Sequence, residues 1–481
     1  MGAVSFCPFS FQLPFALGLV TAATVGGQQL SLPRVPGAKI VDVSAPARFS
    51  EPGIAVNPIN AAQVVVVYQG GLSVQGSANV SYSKDGGSTF TLAEGTRAPD
   101  WRVQGDVTTT FDNKGHAFLC YLAFDRLGAP SYWAHGAGRN GIFVRRSLDG
   151  GKTWEKDAEA VKVWPTGNEK NIQFEDEPRI FADNSTHSRY AGNLYVGWVE
   201  WQLEKSVMLF SRSTDDGKTW STPREISVHA GLPRDDNGSL GGYVQAIAGD
   251  GIIYAIWDDG NSIVLTESRD GGRTFNTPRK VLEVGPPYFG EVPGVSRVEG
   301  FPQIAVDTSA GANRGRIYIC WSDYRNGDVD IFLSSSMDPA RGWSKPVRVD
   351  NDPIHDGNDQ FYQWMTVDPK TGAIYVMFYD RRDDPANRKT RVTLARSVDG
   401  GHSFDNYAWT DNAFQGQQNT FLGDYTWLAA FGNRVYGAWT ETAAPPNPAT
   451  PQTNAGAGRG QTPSYTIIRV GRADFTGIKQ H

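Results

Sequence analysis

SKDGGSTF at residues 83–90 is the first of five closely similar stretches. The others are SLDGGKTW (147–154), STDDGKTW (213–220), SRDGGRTF (268–275) and SVDGGHSF (397–404). The shared pattern is Ser-x-Asp-x-Gly-x-Thr/Ser-aromatic. Asp and Gly favour a tight hairpin turn in which the Asp side chain accepts hydrogen bonds from turn amides. We expect the closing aromatic residue to pack against a sheet, and the recurrence indicates a repeat protein.

A second repeated feature is a short strand that ends in one large aromatic residue. It occurs seven times, at Tyr68, Tyr121, Trp198, Trp257, Trp321, Phe378 and Trp439. A short strand precedes each copy, and a strand leading into the turn motif follows it, usually with a fourth strand after the turn. The spacing of roughly 50–80 residues is in the range of propeller blades.

These repeats predict an all-β fold, a single β-propeller of seven four-stranded antiparallel blades. The last repeat lacks its fourth strand, and we expect AKIVDV at 38–43 to supply it and close the ring over residues 38–476. Cys120 and Cys320 fall in the same core column of two blades that are not neighbours. We therefore interpret both as buried apolar residues and not as a disulfide or a metal site.

The charge balance of the sequence limits the classes of ligand that we expect. The 481 residues include 45 Lys and Arg against 51 Asp and Glu, a net charge of −6. Because nucleic-acid affinity comes mostly from basic phosphate contacts, nucleic acid is not expected as a ligand. The seven His show no metal-ligand spacing. We predict no metal or other cofactor, although an acidic cluster such as 175–177 is compatible with calcium.

The N-terminal segment resembles a secretory signal. Residues 4–24 are apolar and end in small residues, but no Lys or Arg precedes Arg34. Pro8 and Pro14 interrupt the segment, which argues against a spanning helix. We expect residues 1–28 to be a signal peptide, the protein to be secreted or periplasmic, and the chain to have no membrane span.

One face of the predicted ring collects polar residues from every repeat. Those just before the inner strands are Glu51, Asp106, Glu175, Asp176, Glu177, Tyr243, Glu299, Gln360, Asp424 and Tyr425. Insertions on the same face carry aromatic residues, among them Trp133 in the segment 126–140, which suit the walls of a sugar pocket. Each charged residue is also compatible with a solvated loop, but loops on a rigid scaffold often carry binding sites.

The turn motifs are Asp-box (BNR) repeats, and the chain resembles the sialidase (neuraminidase) superfamily, whose enzymes have six blades. The resemblance implies a Tyr nucleophile, a Glu base, an Asp acid/base and arginines that bind a substrate carboxylate. In LGDYTWLA, Tyr425 matches the nucleophile, with Asp424 beside it. Glu299 or Glu177 is the candidate base and Asp106 the candidate acid/base. The candidate arginines are Arg179, Arg325, Arg381 and Arg382.

The resemblance therefore predicts an exo-sialidase-like glycoside hydrolase that acts on glycans as a monomer. Two alternatives remain. One is a propeller that binds glycan or protein without catalysis. The other is a different carbohydrate enzyme, such as a lyase or an endo-hydrolase with two carboxylates, whose cleft is lined by Asp and Glu with few Arg.

Overall fold

Twenty-eight β-strands are the only regular elements in the part of the chain that is described by the computed structural model. That part comprises residues 32–71, 76–96, 100–235, 238–285, 292–416, 420–445 and 465–478. The predicted signal peptide lies outside these residues. Within them, no helix is long and apolar enough to cross a membrane.

The strands form seven separate antiparallel sheets of four, and in six of them the strands follow chain order from one edge to the other. β1 (Lys39–Asp42) precedes the first blade. The first three blades are β2 (Arg48–Val56), β3 (Val64–Gly71), β4 (Ala78–Ser83) and β5 (Thr91–Leu92); β6 (Val103–Phe111), β7 (Ala117–Phe124), β8 (Asn140–Ser147) and β9 (Glu159–Trp164); and β10 (Phe174–Ala182), β11 (Leu194–Trp201), β12 (Ser206–Ser213) and β13 (Arg224–Glu225).

The next three blades repeat the same order. They are β14 (Leu240–Ile247), β15 (Ile253–Asp259), β16 (Ser262–Ser268) and β17 (Arg279–Glu283); β18 (Gln303–Val306), β19 (Ile317–Asp323), β20 (Asp330–Ser336) and β21 (Val347–Arg348); and β22 (Gln360–Val367), β23 (Ile374–Asp380), β24 (Arg391–Ser397) and β25 (Asp405–Ala408). The prediction of a propeller with four-stranded blades is confirmed, and the number of blades is seven rather than six.

The seventh blade joins the two ends of the described chain. It contains β26 (Trp427–Phe431), β27 (Arg434–Ala443) and β28 (Tyr465–Asp474), with β1 as its outer strand. β1 pairs with β28 in antiparallel register, Lys39 opposite Arg472 and Asp42 opposite Arg469. Closure in this way leaves the ring without a first and a last blade that could separate freely.

The five turn motifs share one hydrogen-bond pattern. In the second blade, Asp149 accepts a hydrogen bond from Ser147 Oγ at 2.9 Å, from the Thr153 amide at 2.9 Å and from Thr153 Oγ1 at 2.7 Å. The Gly151 amide donates to Ser147 Oγ at 2.9 Å. The motif is therefore a self-contained turn that closes the hairpin between the third and fourth strands.

The aromatic residue that closes each turn fills the space between two blades. Trp154 packs on a cluster built from blades one and two, and Trp220 on a cluster built from blades two and three. Phe275 and Phe404 occupy the same position farther round the ring. The repeated motif thus determines both the turn and the contact with the preceding blade.

We expect Asp149→Ala to lower the free energy of unfolding by about 1–2 kcal/mol, because three hydrogen bonds of the turn lose their acceptor. Lys152→Ala, an exposed change in the same turn, is the matched control and should be neutral within about 0.5 kcal/mol. Urea unfolding followed by tryptophan fluorescence measures both. Equal effects of the two changes would show that the turn does not depend on Asp149.

The column of core residues on the second strands explains the cysteines. Cys120 and Cys320 are both free and fully buried, in clusters between different pairs of blades. They pack as apolar residues, as predicted. In the third blade the column position is Gly197, and a Cβ atom there would lie 2.1 Å from the ring of Tyr243. The glycine therefore makes room for a tyrosine of the next blade.

Candidate active site

A backbone irregularity recurs where the inner strands begin. In five blades the pairing of the first strand with the second skips two residues. The first residue skipped has a positive φ in each, namely Glu51 (53°), Asp106 (46°), Glu177 (52°), Gly242 (67°) and Tyr362 (54°). By register, Phe301 and Tyr425 hold this position in the fifth and seventh blades. Left-handed backbone costs a non-glycine residue about 1 kcal/mol or more, and such strain concentrates at functional sites.

Three carboxyl groups occupy this position in three consecutive blades. The Glu177 amide donates to Asp106 Oδ2 at 3.1 Å, and the Asp106 amide donates to Gln69 Oε1 at 2.7 Å. The Gly242 amide donates to Glu177 Oε2 at 2.9 Å. The carboxyl of Glu51 is hydrogen-bonded to that of Asp106. These contacts link blades one to four and place the three acids, which we call the acidic cleft, side by side.

Two carboxyl groups of the acidic cleft, those of Glu51 and Glu177, have raised pKa values. Desolvation raises the pKa of Glu177 to about 8, although the Gly242 amide partly offsets the shift. Burial and the negative charge of Asp106 raise the pKa of Glu51 well above its usual value. Glu51 is 1% exposed, whereas Asp106 and Glu177 are half-buried. Glu177 can therefore carry a proton at neutral pH while part of the residue stays exposed to solvent.

Arg179 lies under the acidic cleft in an aromatic cage. Its guanidinium carbon is 3.9 Å from the ring centre of Tyr425, 5.3 Å from that of Trp427 and 5.5 Å from that of Trp364. The two indoles stack at 3.8 Å. Arg179 is 1% exposed, and its Nε and Nη1 have no hydrogen-bond partner among the described residues. The cage fixes a positive charge beneath the carboxyls of the cleft.

Tyr425 is buried beside this charge. Burial, then the negative charge of Glu51, raise the pKa of its phenol well above the usual value, and Arg179 opposes the shift. Its hydroxyl has no hydrogen-bond partner in the described part of the chain.

A cavity of about 760 Å³ follows farther along the ring axis. All seven inner strands line it, and the lining residues include Ile54, Thr109, Ile180, Gln245, Ile304, Met365 and Leu428.

A second charged group, centred on Arg297, lies at the rim of the cleft. Arg297 Nε donates to Asp424 Oδ1 at 2.9 Å, and Nη2 donates to the other oxygen of that carboxylate. Nη1 donates to Asp235 Oδ2 at 2.9 Å, and Glu299 Oε1 lies 3.4 Å from Nε. Burial and the negative charge of Asp424 raise the pKa of Glu299 well above its usual value. One guanidinium thus serves three carboxyl groups.

The structure brings together six of the ten residues predicted for the site. Electrostatic interactions connect Glu177 with Asp106 and Arg179, Tyr425 with Asp106 and Asp424, and Glu299 with Glu177 and Asp424. The candidate nucleophile, bases and acid/base therefore share one region. Their roles remain proposals.

The other four predicted residues have described contacts elsewhere. Arg325 binds the Asp323 carboxylate, with Nε 2.8 Å from Oδ1. Arg381 donates to the carbonyl oxygens of Pro293 and Asn387, at 2.9 and 2.7 Å. Arg382 binds Asp380, Asn351 and Asn406, and Trp133 packs against the cluster between the third and fourth blades. None of these contacts brings an arginine to Tyr425.

The neighbours of Glu177 in the 175–177 cluster have a structural role. Glu175 is fully buried and accepts hydrogen bonds from the indoles of Trp164 at 2.8 Å and Trp198 at 2.7 Å. Asp176 accepts one from Trp201 at 3.0 Å. In later blades, the strand-ending tryptophans Trp321 and Trp439 likewise donate to Asp323 and Glu441, two residues farther on.

Two groups of described side chains offer three metal-ligand atoms within 4.8 Å of one another. They are Asp112, His116 and Asp216, and Asp330, Asp350 and Asp352. Arg348 forms ion pairs with all three aspartates of the second group. Neither group includes a residue of the acidic cleft.

The sequence placed Glu51 on the functional face but indicated no role for it, and it did not predict Arg297 or Asp235 as site residues. Glu51 had a signal, because Glu-Pro recurs at 51–52 and 177–178 in the same register. Arg297 and Asp235 lie in connections between blades, where no repeat aligns them.

No family model matches the chain, and no curated protein matches it in sequence. Solved structures resemble its fold. A Hadza microbial sialidase, Hz136, is 16% identical over 69% of this chain and 63% of its own length, less than two thirds, with a TM-score of 0.45. An α-L-arabinanase from Penicillium chrysogenum is 12% identical over 90% and 98%, with a TM-score of 0.45.

An ulvan lyase of polysaccharide lyase family PL25 is 12% identical over 83% of this chain and 93% of its own, with a TM-score of 0.49. At such low identities these likenesses concern the fold alone. The repeated turn and the closed ring of seven four-stranded sheets identify the fold of the chain as a seven-bladed β-propeller.

Proposed function

We propose that the chain is a carbohydrate-active enzyme, a glycoside hydrolase whose active site is the acidic cleft. The observation that carries the proposal is the pair Asp106 and Glu177, on strained bulges of adjacent blades and joined by a hydrogen bond. Most glycosidases need one carboxyl that keeps its proton and one that is ionised. Burial gives Glu177 the raised pKa that the first role needs.

In this proposal Glu177 is the general acid. It donates its proton to the glycosidic oxygen as the bond to the anomeric carbon breaks, so the leaving group departs as a neutral alcohol. Asp106, as a carboxylate, stabilises the positive charge that develops on the sugar. Water then bonds to the anomeric carbon and gives a proton to the Glu177 carboxylate, which releases the free sugar and restores the protonated acid. Because the backbone amide of Glu177 holds Asp106 Oδ2, the two groups keep a fixed relative position.

A specific observation favours a second candidate, the exo-sialidase-type reaction. In that reaction Tyr425 is the nucleophile, Asp106 the acid/base, and Glu299, Glu177 or the adjacent Glu51 the base. The supporting observation is Arg179 at 3.9 Å from the Tyr425 ring, in a place where a carboxylate clamp is required. The high burial of Arg179 and the excess of carboxyls around it favour the first candidate, since a sialoside is an anion.

A panel of fluorogenic glycosides, including a sialoside, separates the candidates. We expect release from an uncharged glycoside, with Tyr425→Phe within about tenfold of wild type, because only a hydroxyl without a described partner is lost. Release from the sialoside alone, abolished in Tyr425→Phe, would establish the second candidate instead. No release from any substrate, together with glycan binding on an array, would indicate a binding protein.

A further inference from the structure

Arg297 is the most heavily engaged charged residue of the rim. It lies in the connection before β18 with a φ of 48°. All three of its guanidinium nitrogens donate to carboxylates, two to Asp424 and one to Asp235. A bidentate contact of this kind fixes orientation as well as charge.

The backbone of Arg297 is held as firmly as its side chain. Its carbonyl oxygen accepts a hydrogen bond from the Tyr362 hydroxyl at 2.7 Å, and the same hydroxyl also donates to the carbonyl of Gly423. Thr426 Oγ1 donates to the carbonyl of Tyr362 at 2.9 Å. Through Tyr362, these contacts connect the backbone of Arg297 to Gly423 and Thr426, the residues on either side of Asp424 and Tyr425.

The positive charge of Arg297 interacts with three carboxyl groups at once. Its surroundings include titratable groups from four connections and strands, namely Asp235 before β14, Glu299 before β18, Tyr362 on β22 and Asp424 before β26, with Glu51 of the first blade in electrostatic range. Burial raises the pKa of Asp424 to about 6, and Arg297 opposes the shift. These contacts use three of the five N–H donors of the guanidinium and balance its single positive charge with carboxyl groups, which leaves little net positive charge to attract an anionic group of a ligand.

We propose that Arg297 is a positioning residue of the acidic cleft: it fixes the carboxylates of Asp424 and Asp235 at the rim and does not bind an anionic group of the substrate. This inference rests on the proposed function. It predicts that the carboxylates of Asp424 and Asp235 keep their orientation through Arg297. It also predicts that the cleft accepts an uncharged sugar.

The test compares Arg297→Met and Arg297→Lys with wild type on the glycoside that the panel identifies. We expect Arg297→Met to lower kcat about tenfold to a hundredfold and to move the pH–rate profile by about one unit. Lys restores the charge but not the bidentate contact, so Arg297→Lys should recover the pH profile more than kcat. Arg469→Met is the matched control, because Arg469 on β28 also forms ion pairs with two carboxylates, those of Asp42 and Glu441. It should leave the pH profile unchanged.

A second readout needs no substrate. Without Arg297, the nearby carboxyls have folded-state pKa values farther above their unfolded values. Their protonated forms are tolerated at low pH, and the stability this provides is lost as pH rises through the folded-state pKa. The Tm deficit of Arg297→Met relative to wild type should therefore grow between pH 5 and pH 8.

Two results would overturn the inference. One is a KM raised at least tenfold in Arg297→Met with kcat and the pH profile unchanged, which is the behaviour of a substrate clamp. The other is a Tm deficit that does not change with pH. If wild type hydrolyses no glycoside, the proposed function fails, while the Tm comparison still decides the role of Arg297.

Discussion

Glu177→Gln is expected to lower kcat at least about a hundredfold, since it removes the proton donor but keeps the shape of the side chain. The amide oxygen of Gln can still accept the Gly242 hydrogen bond, so the fold should persist. The loss should be greatest for glycosides with poor leaving groups, which depend most on protonation of the glycosidic oxygen. The measurement is kcat on an aryl glycoside series of rising leaving-group pKa.

Stability supplies an independent check on Glu177. Its folded-state pKa of about 8 lies above the usual value, so the protonated form stabilises the fold at low pH, and this contribution is lost as pH rises from about 4 to about 8. Glu177→Gln cannot ionise. Its Tm should therefore fall less than that of wild type between pH 5 and pH 8.

Glu175→Gln is the matched control, because Glu175 lies two residues away and has a different task. It accepts two indole N–H groups in the core, and an amide oriented to serve one of them presents N–H groups to the other. We expect about 1–3 kcal/mol of destabilisation with kcat within a few fold of wild type. A hundredfold loss of kcat in Glu175→Gln and none in Glu177→Gln would contradict the assignment.

Gly197→Ala is expected to destabilise the fold strongly, although it adds only one methyl group to the core. The new Cβ would lie 2.1 Å from the ring of Tyr243, which is fully buried and donates to Gln245 Oε1 at 2.5 Å. Neither the strand nor the ring can move away freely, so we expect about 3 kcal/mol or more of destabilisation. Because Tyr243 follows Gly242, the amide that contacts Glu177 should also shift.

Chemical denaturation checks this prediction, with Gly249→Ala as the control. A Cβ at Gly249 meets only the end of Arg314, at 3.9 Å, and should be tolerated. The double variant Gly197→Ala/Tyr243→Val removes the ring and should recover part of the loss. Strictly additive effects of the two changes would show that the ring is not what the glycine accommodates.

The ring was predictable because its signals are local. Each of the five turn motifs specifies its own hydrogen bonds and places its own aromatic residue. The seven strands that end in a large aromatic residue then imply seven blades without knowledge of long-range contacts. The same register brought Asp106, Glu177 and Tyr425 to one region, since residues at one position of every inner strand meet at the axis. The bulge itself was not predictable, because it depends on how the inner strand pairs with its neighbour.

Apart from Arg179, the arginines of the site were not predictable from the sequence. Arg325 and Arg382 follow second strands on the expected face, but each lies two residues after an aspartate and binds it. Because each guanidinium is bound to its neighbouring aspartate, it is not directed toward the site at the ring axis. Arg297 comes from a connection whose length differs between blades, and its three carboxyl partners are 62, 2 and 127 residues away in the chain. Only the closed ring brings them together.

We propose the acidic cleft of Glu51, Asp106 and Glu177 as the place where a glycosidic bond is cleaved. The most direct test is a crystal structure of Glu177→Gln with the uncleaved glycan that wild type hydrolyses. We expect the glycosidic oxygen to lie about 3 Å from the side-chain amide of residue 177, with the sugar ring beside Asp106. A glycan bound in the axial cavity beyond Arg179, or on the outer blades, with no contact to residues 106 and 177, would contradict it.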